Sequence, residues 1–262
     1  MITHLYTICW NEADILPFFF RHYDPWVDRY VIFDDGSTDG SLEILSAHPK
    51  VELREFPRTH RESFVYLHQA MQNAAWKESR GIADWVVMTA IDEHLLVRGK
   101  PMRSYLERQT KAHVTFIPAL GFDMVSEEFP TGDVLLSEVI ASGLPNWQFN
   151  KLSLFDPDEI VESNFSTGRH QAAPAGRLLR PSRTELQLLH FKHLGFARTF
   201  AKQEALGKRL GALDREKGFG AQYTDGEEKF RRRWTQLKSG AIDVKAPDFD
   251  PLKAAARPFW WR

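Results

Sequence analysis

One cysteine, Cys9, is all that this chain carries. That excludes an intramolecular disulfide and any multi-cysteine zinc site, and it suits a reducing compartment. Cys9 lies in an apolar run and reads as a small core hydrophobe. Nothing in the sequence approaches eighteen uninterrupted apolar residues, so a membrane-spanning helix is not expected. The first residues run straight into a strand-like segment, Ile2–Trp10, with neither a basic nor an apolar leader region, and the expectation is a soluble, cytoplasmic protein. An excess of one charge is also missing: 34 basic residues face 35 acidic ones, a formal charge of -1. No global field therefore points to nucleic acid, and none is expected as a partner. A Walker loop, a G-x-G-x-x-G turn, Cys₂His₂ spacing and a Ser-His-Asp arrangement are absent, which removes several enzyme classes.

What is present alternates. Leu5–Cys9, Arg29–Phe33, Val51–Phe56 and the apolar run Asp84–Ile91 read as strands, the last one covered on both faces. Helices are predicted over Glu12–Tyr23, Ser41–Ala47 and Arg61–Arg80, the third with Phe64, Leu67, Met71, Ala74 and Ala75 on one face. Strands alternating with helices predict an α/β protein with a doubly wound, mostly parallel sheet and helices on both faces. Beyond Gly99 the rhythm changes. A helix over Pro101–Lys111 and a strand over Val114–Pro118 precede a loop-rich stretch with Gly121, Pro130, Gly132, Gly143, Pro145 and Trp147. Strands at Leu152–Phe155 and Glu185–Phe191 and helices at Thr199–Lys217 and Glu227–Leu237 follow. The reading is one domain of 262 residues: a nucleotide-binding half at 1–98, an acceptor half at 99–195, and C-terminal helices with a tail at 196–262.

The most informative segment is Val31-Ile32-Phe33-Asp34-Asp35-Gly36-Ser37-Thr38-Asp39-Gly40-Ser41. A buried strand ends there in two carboxylates, a polar turn and a helix start. Ligands of open α/β sheets bind outside the carboxyl ends of strands, where such acids face a cleft. The alternative is a plain strand–turn–helix joint with Asp39 or Ser41 as the helix cap. Both stay open on this segment alone.

Upstream, Thr7-Ile8-Cys9-Trp10-Asn11-Glu12-Ala13-Asp14-Ile15-Leu16-Pro17 resembles the first strand and helix start of family 2 glycosyltransferases, and more narrowly a bacterial branch related to family 92. Asp34-Asp35-Gly36-Ser37-Thr38-Asp39-Gly40-Ser41 is similar to that family's second-strand signature. The resemblance implies a GT-A fold, a nucleotide-sugar donor and a saccharide or glycolipid acceptor of cell-surface polysaccharide synthesis. It places Asn11, Glu12, Asp34 and Asp35 around the nucleotide. Ile91-Asp92-Glu93-His94 looks like the family's D-x-D-E-F box, with Asp92 on the metal-binding acid, Glu93 on the Glu, and His94 where Phe is usual. Ala90 stands where the box has its first acid. A divalent cation, Mn²⁺ or Mg²⁺, would bind the diphosphate and neutralise its developing charge.

Ser166-Thr167-Gly168-Arg169-His170 and Leu186-Gln187-Leu188-Leu189-His190-Phe191-Lys192-His193 resemble two later segments of these enzymes. They make His190 and His170 rival metal ligands, binding as neutral imidazoles with the proton leaving at roughly pH 6–7. Inverting transfer also needs an acceptor-side carboxylate as general base; Asp123 is the candidate, with Glu127, Glu128 and Glu138 as competitors, and Glu93 is a further candidate catalytic residue. The basic, aromatic ending Arg257–Arg262 suits a membrane interface but is too short to anchor, so packing on the domain is the plainer expectation. Any membrane contact would be peripheral, at the inner face. A second reading, motivated by Ala90 and His94, is a GT-A-shaped binding module without catalysis.

Overall fold

The computed structural model describes residues 1–59 and 62–261. Its larger sheet has the strand order β3 (Val51–Glu55), β2 (Arg29–Asp34), β1 (Thr3–Cys9), β4 (Trp85–Met88), β9 (Leu152–Phe155) and β6 (Phe116–Pro118). The four N-terminal strands pair in parallel, whereas β9 and β6 join antiparallel. Successive side chains of a strand point to opposite faces, and β1 shows it. Leu5 and Cys9 pack into one core with α1 (Leu16–Tyr23), α2 (Ser41–Ala47) and α4 (Met102–Lys111), while Tyr6 packs with α3 (Phe64–Ala74) in the other. Helices on both faces explain why these strands read as continuous apolar runs.

A second, mixed sheet follows the order β13 (Ile242–Asp243), β8 (Ser142–Pro145), β7 (Leu120–Ser126), β12 (Gln187–Leu194) and β5 (Glu93–Leu96). Only β7 and β12 run parallel in it. A small hairpin, β10 (Ile160–Glu162) with β11 (Ala175–Gly176), stands apart. Helices α5 (Leu136–Val139), α6 (Phe196–Arg209), α7 (Ala212–Glu216), α8 (Glu227–Gly240) and α9 (Pro251–Ala254) complete the chain. The α/β class is the one the sequence pattern indicates.

Several boundaries differ for physical reasons. The run 84–91 is not one strand: β4 stops at Met88, and after a turn at 89–92 the chain re-enters as β5 in the other sheet. Both strands are buried, so apolar continuity hides the switch. The stretch read as loop contains β7, where Gly121 is required because a Cβ there would fall 2.3 Å from the Cβ of Phe149. Helix α1 starts at Leu16 rather than Glu12, because residues 11–13 are engaged by the β2–α2 turn. The long helix read over 61–80 is α3 followed by a 3₁₀ turn at Ala75–Ser79, and Arg61 lies outside the described residues. The helix expected at 199–217 breaks between α6 and α7 at Leu210 and Gly211. The tail packs on the domain: Trp260 Nε1 donates to the Asn150 carbonyl at 2.7 Å, and Phe259 is buried. Arg262 is outside the described residues. Among those residues, no helix is long and apolar enough to cross a membrane.

Candidate active site

The carboxyl ends of β1, β2 and β4 open into a cavity of about 940 Å³, closed on its far side by β12, α6 and α8. At its first wall, the β1 and β2 loops are sewn together by short polar side chains. Asn11 N–H donates to Ser37 Oγ (2.9 Å), Glu12 N–H to Ser41 Oγ (2.9 Å) and Ala13 N–H to Asp39 (3.0 Å), while Asn11 Oδ1 accepts from Thr38 N–H (2.7 Å). Asn11 has φ 51°, a left-handed value that asparagine tolerates. Asp34 closes its own turn by accepting from Gly36 N–H (2.9 Å) and Ser37 N–H (3.0 Å). The cap position of α2 is Gly40, with Asp39 accepting from Ser41 beside it. The four residues expected at the nucleotide thus divide. Glu12 and Asp35 line the cavity; Asn11 and Asp34 hold the loops that present them.

In and beside the turn after β4, Asp92, His190 and Asp123 form a chain of charged contacts. Asp92 Oδ2 lies 3.3 Å from His190 Nε2, and His190 Nδ1 lies 2.7 Å from Asp123 Oδ1. Asn146 Nδ2 donates to the other Asp123 oxygen at 2.7 Å, and the Phe149 ring lies 4.1 Å from the His190 ring. Strand register makes this arrangement: His190 on β12 pairs with Asp123 on β7 and with Glu93 on β5. Burial disfavours the imidazolium, but Asp92 and Asp123 outweigh it and raise the His190 pKa to about 9. Burial likewise opposes charge on Asp92, yet His190 and Lys202 hold it well below the carboxylate range; His190 also lowers Asp123 against its burial.

Among the described residues, no group of three or more His, Cys, Asp or Glu side chains converges on one point as a metal site. Two donors do converge, Asp92 and His190, with a carboxylate bonded to the far nitrogen of the imidazole. That is the arrangement by which outer carboxylates orient metal-binding histidines. The donor pair fits a divalent cation that takes its remaining ligands from water and substrate. His170 stands apart from the pair: its Nδ1 bonds the Gln148 carbonyl at 2.8 Å, and burial lowers its pKa to about 4.

Glu93 has different surroundings from its neighbour Asp92. It is fully buried, bonded to Lys151 Nζ at 2.6 Å and to the Arg169 guanidinium, and it accepts from Ala90 N–H at 3.1 Å. Burial opposes its ionisation, but Arg169 and Lys151 hold it far below the usual range. Arg169 also caps the Met88 carbonyl at 2.6 Å, so this ion triad fixes the turn that carries Asp92. Sequence reasoning missed Lys151 and Arg169. The signal for Arg169 was the glycine before it: Gly168 and Arg169 are both left-handed, with φ 67° and 56°. His94 has no hydrogen-bond partner among the described residues and packs between His22, Tyr23 and Phe191 as a core ring.

Helix α6 closes the cavity with cations spaced four and eleven residues from Arg198, which puts them on one helix face. Arg198 pairs with Asp14, Lys202 with Glu12, and Arg209 with Asp35 at 2.6 Å. Arg209 also covers the Trp10 ring at 4.0 Å, and Arg58 bonds the remaining Asp35 oxygen at 2.5 Å. Burial raises the Glu12 carboxyl to about 7, against the pull of Lys202. Sequence reasoning did not find this face either, although its spacing was readable.

No protein-family model matches the chain, and no curated protein does. Solved structures with a likeness include a mycobacterial protein, at 16% identity over 47% of this chain and 41% of that one, TM-score 0.30. Another is glucosyl-3-phosphoglycerate synthase from Mycobacterium tuberculosis with Mn²⁺, uridine-diphosphate-glucose and phosphoglyceric acid, at 16% identity over 46% of this chain and 43% of that one, TM-score 0.30. A third is 4-diphosphocytidyl-2C-methyl-D-erythritol synthase, at 12% identity over 60% and 76%, TM-score 0.30. The chain spans less than half the length of the first two. Likeness at this level does not define a substrate.

Proposed function

We propose that the chain is a nucleotide-sugar-dependent glycosyltransferase acting with inversion on a saccharide or glycolipid acceptor, in the synthesis of a cell-surface polysaccharide. The observation that carries this reading is the Asp92–His190–Asp123 chain at the carboxyl end of β4, facing the cavity that Glu12 and Asp35 also line. Glu12 and Asp35 would meet the nucleotide, on loops that Asn11 and Asp34 hold. Asp92 and His190 would hold a divalent cation, which supplies charge neutralisation to the diphosphate. Asp123 orients His190, and a carboxylate has lone pairs beyond the two bonds it makes here. It would accept the proton of the acceptor hydroxyl as that oxygen attacks C1. The bond from C1 to the diphosphate breaks, and its electron pair stays with the leaving oxygen. Glu93 serves by fixing the turn that presents Asp92, and His170 by flanking Phe149 at the acceptor side.

The test is binding and turnover of a panel of nucleotide sugars with Mn²⁺ and with EDTA. Release of nucleoside diphosphate that EDTA abolishes, and that Asp92→Asn also abolishes, supports the reading; no nucleotide binding under either condition overturns it. A second reading, a binding module without catalysis, is favoured by Ala90 at the first acid of the metal box. Tight nucleotide binding with neither transfer nor hydrolysis would select it.

A further inference from the structure

The cations of the cavity are almost all bonded to carboxylates. Lys151 and Arg169 share Glu93, while Arg198, Lys202 and Arg209 are paired with carboxylates of the β1 and β2 loops. Lys192 is the exception. It lines the same cavity, two residues beyond His190, and its ammonium makes neither an ion pair nor a hydrogen bond among the described residues. Its ammonium lies 4.7 Å from the centre of the Tyr223 ring, a contact that steadies a cation without neutralising it. It is also close enough to Asp92 to act on that carboxylate electrostatically. Half-buried, it carries a charge that water screens only in part. A cation with no bonded carboxylate, held over an aromatic ring beside Asp92, is placed to take an anion that enters the cavity.

We propose that Lys192 is the cation that binds the donor's diphosphate and stabilises it as it leaves. The assignment rests on the nucleotide-sugar reading. When the C1–oxygen bond breaks and its electron pair stays on the diphosphate, the new charge develops beside Lys192. A fixed ammonium there is worth more in the transition state than in the ground state. Because the cation belongs to the chain, part of the anion affinity does not depend on metal. The first acid of the metal box, absent at position 90, is not needed for that part.

Calorimetric titration with inorganic pyrophosphate in EDTA tests this directly, with melting curves to show that each variant is folded. We expect the wild type to bind, Lys192→Gln to bind at least tenfold more weakly, and Lys192→Arg to stay within about threefold of the wild type. In nucleotide-sugar turnover, Lys192→Gln should lower kcat more than it raises KM. Unchanged pyrophosphate affinity in Lys192→Gln, or no binding by the wild type in EDTA, overturns the assignment. If the wild type turns over nucleotide sugars and Lys192→Gln matches it, only the role of Lys192 fails. If pyrophosphate binding depends on Lys192 but no nucleotide sugar binds, the anion site stands and the glycosyltransferase reading falls.

Discussion

Two turns border the same cavity and are built by different means. The loops after β1 and β2 are joined by serine, asparagine and aspartate side chains that bond backbone N–H groups of the adjacent strand end. The turn between β4 and β5 is held by charge: a buried carboxylate, Glu93, shared by Lys151 and Arg169. A net neutral hydrogen bond contributes about 1 kcal/mol, so the first kind of turn tolerates the loss of one member. Losing Glu93 would leave two buried cations, Lys151 and Arg169, without a counter-charge, so the second kind does not. The hydrogen bonds that join the first two loops are therefore individually replaceable, and the buried Glu93 triad is not.

The sharpest way to break this contrast is Glu93→Gln. Loss of the carboxylate leaves Lys151 and Arg169 buried without a counter-charge and should lower unfolding free energy by about 3–5 kcal/mol, measured by urea denaturation. A loss of less than about 1 kcal/mol would mean that the triad does not anchor the turn. Next comes Asp123→Asn, which keeps the shape of the carboxylate but not its charge behind His190. Manganese affinity by calorimetry should drop about 10–100-fold, the usual cost of losing an outer carboxylate, while the fold persists. An unchanged affinity would remove His190 from the metal.

Acidity separates the two regions as well. The folded pKa of His190, about 9, lies above the ordinary 6.5, so the stability it confers is present in full below 6.5 and lost as pH rises through about 9. Glu12, raised to about 7, adds a loss of the same sign as pH rises through that value. Asp92, Glu93 and Asp123 are depressed, so their contribution disappears only as pH falls through the acid range. Metal-free protein should thus melt progressively lower between about pH 6.5 and 9, and manganese affinity should climb over the same interval as His190 sheds its proton. The unperturbed imidazole suggested a transition at roughly pH 6–7; a midpoint there would show that His190 is not clamped between two acids. The smallest effect belongs to the first turn: Ser37→Ala removes one acceptor from the Asn11 N–H and should cost about 1 kcal/mol, with nucleotide affinity changed little.

What could be read from the sequence follows the same division. The β1 and β2 loops were legible as turns, because turn formers such as Asn11, Asp34, Gly36 and Ser37 advertise themselves by type, whereas the bonds between the two loops were not. Helix α2 and strand β9 fall on the expected residues, since each is bounded by clear turn signals. Lys151 and Arg169 were not legible as partners of Glu93, from which they lie 58 and 76 residues away, because a lysine or arginine in sequence gives no sign of which acid it will meet. Asp123 was singled out as a base; its bond to His190 depended on the register of β7 against β12, in a stretch whose glycines and prolines read as loop. His94, read as standing where Phe is usual, is fully buried and packs against His22 and Phe191.

The cations of α6 bear on how the chain comes together in time. Their pairs with Asp14, Glu12 and Asp35 join residues 184, 190 and 174 positions apart. Contacts so distant in sequence pay a large loop-closure entropy and form late. On the ribosome, β1 and β2 emerge long before α6, so their carboxylates spend that interval without these cations. The parallel sheet can assemble first, but the cavity acquires its charge balance only when the last third of the chain arrives.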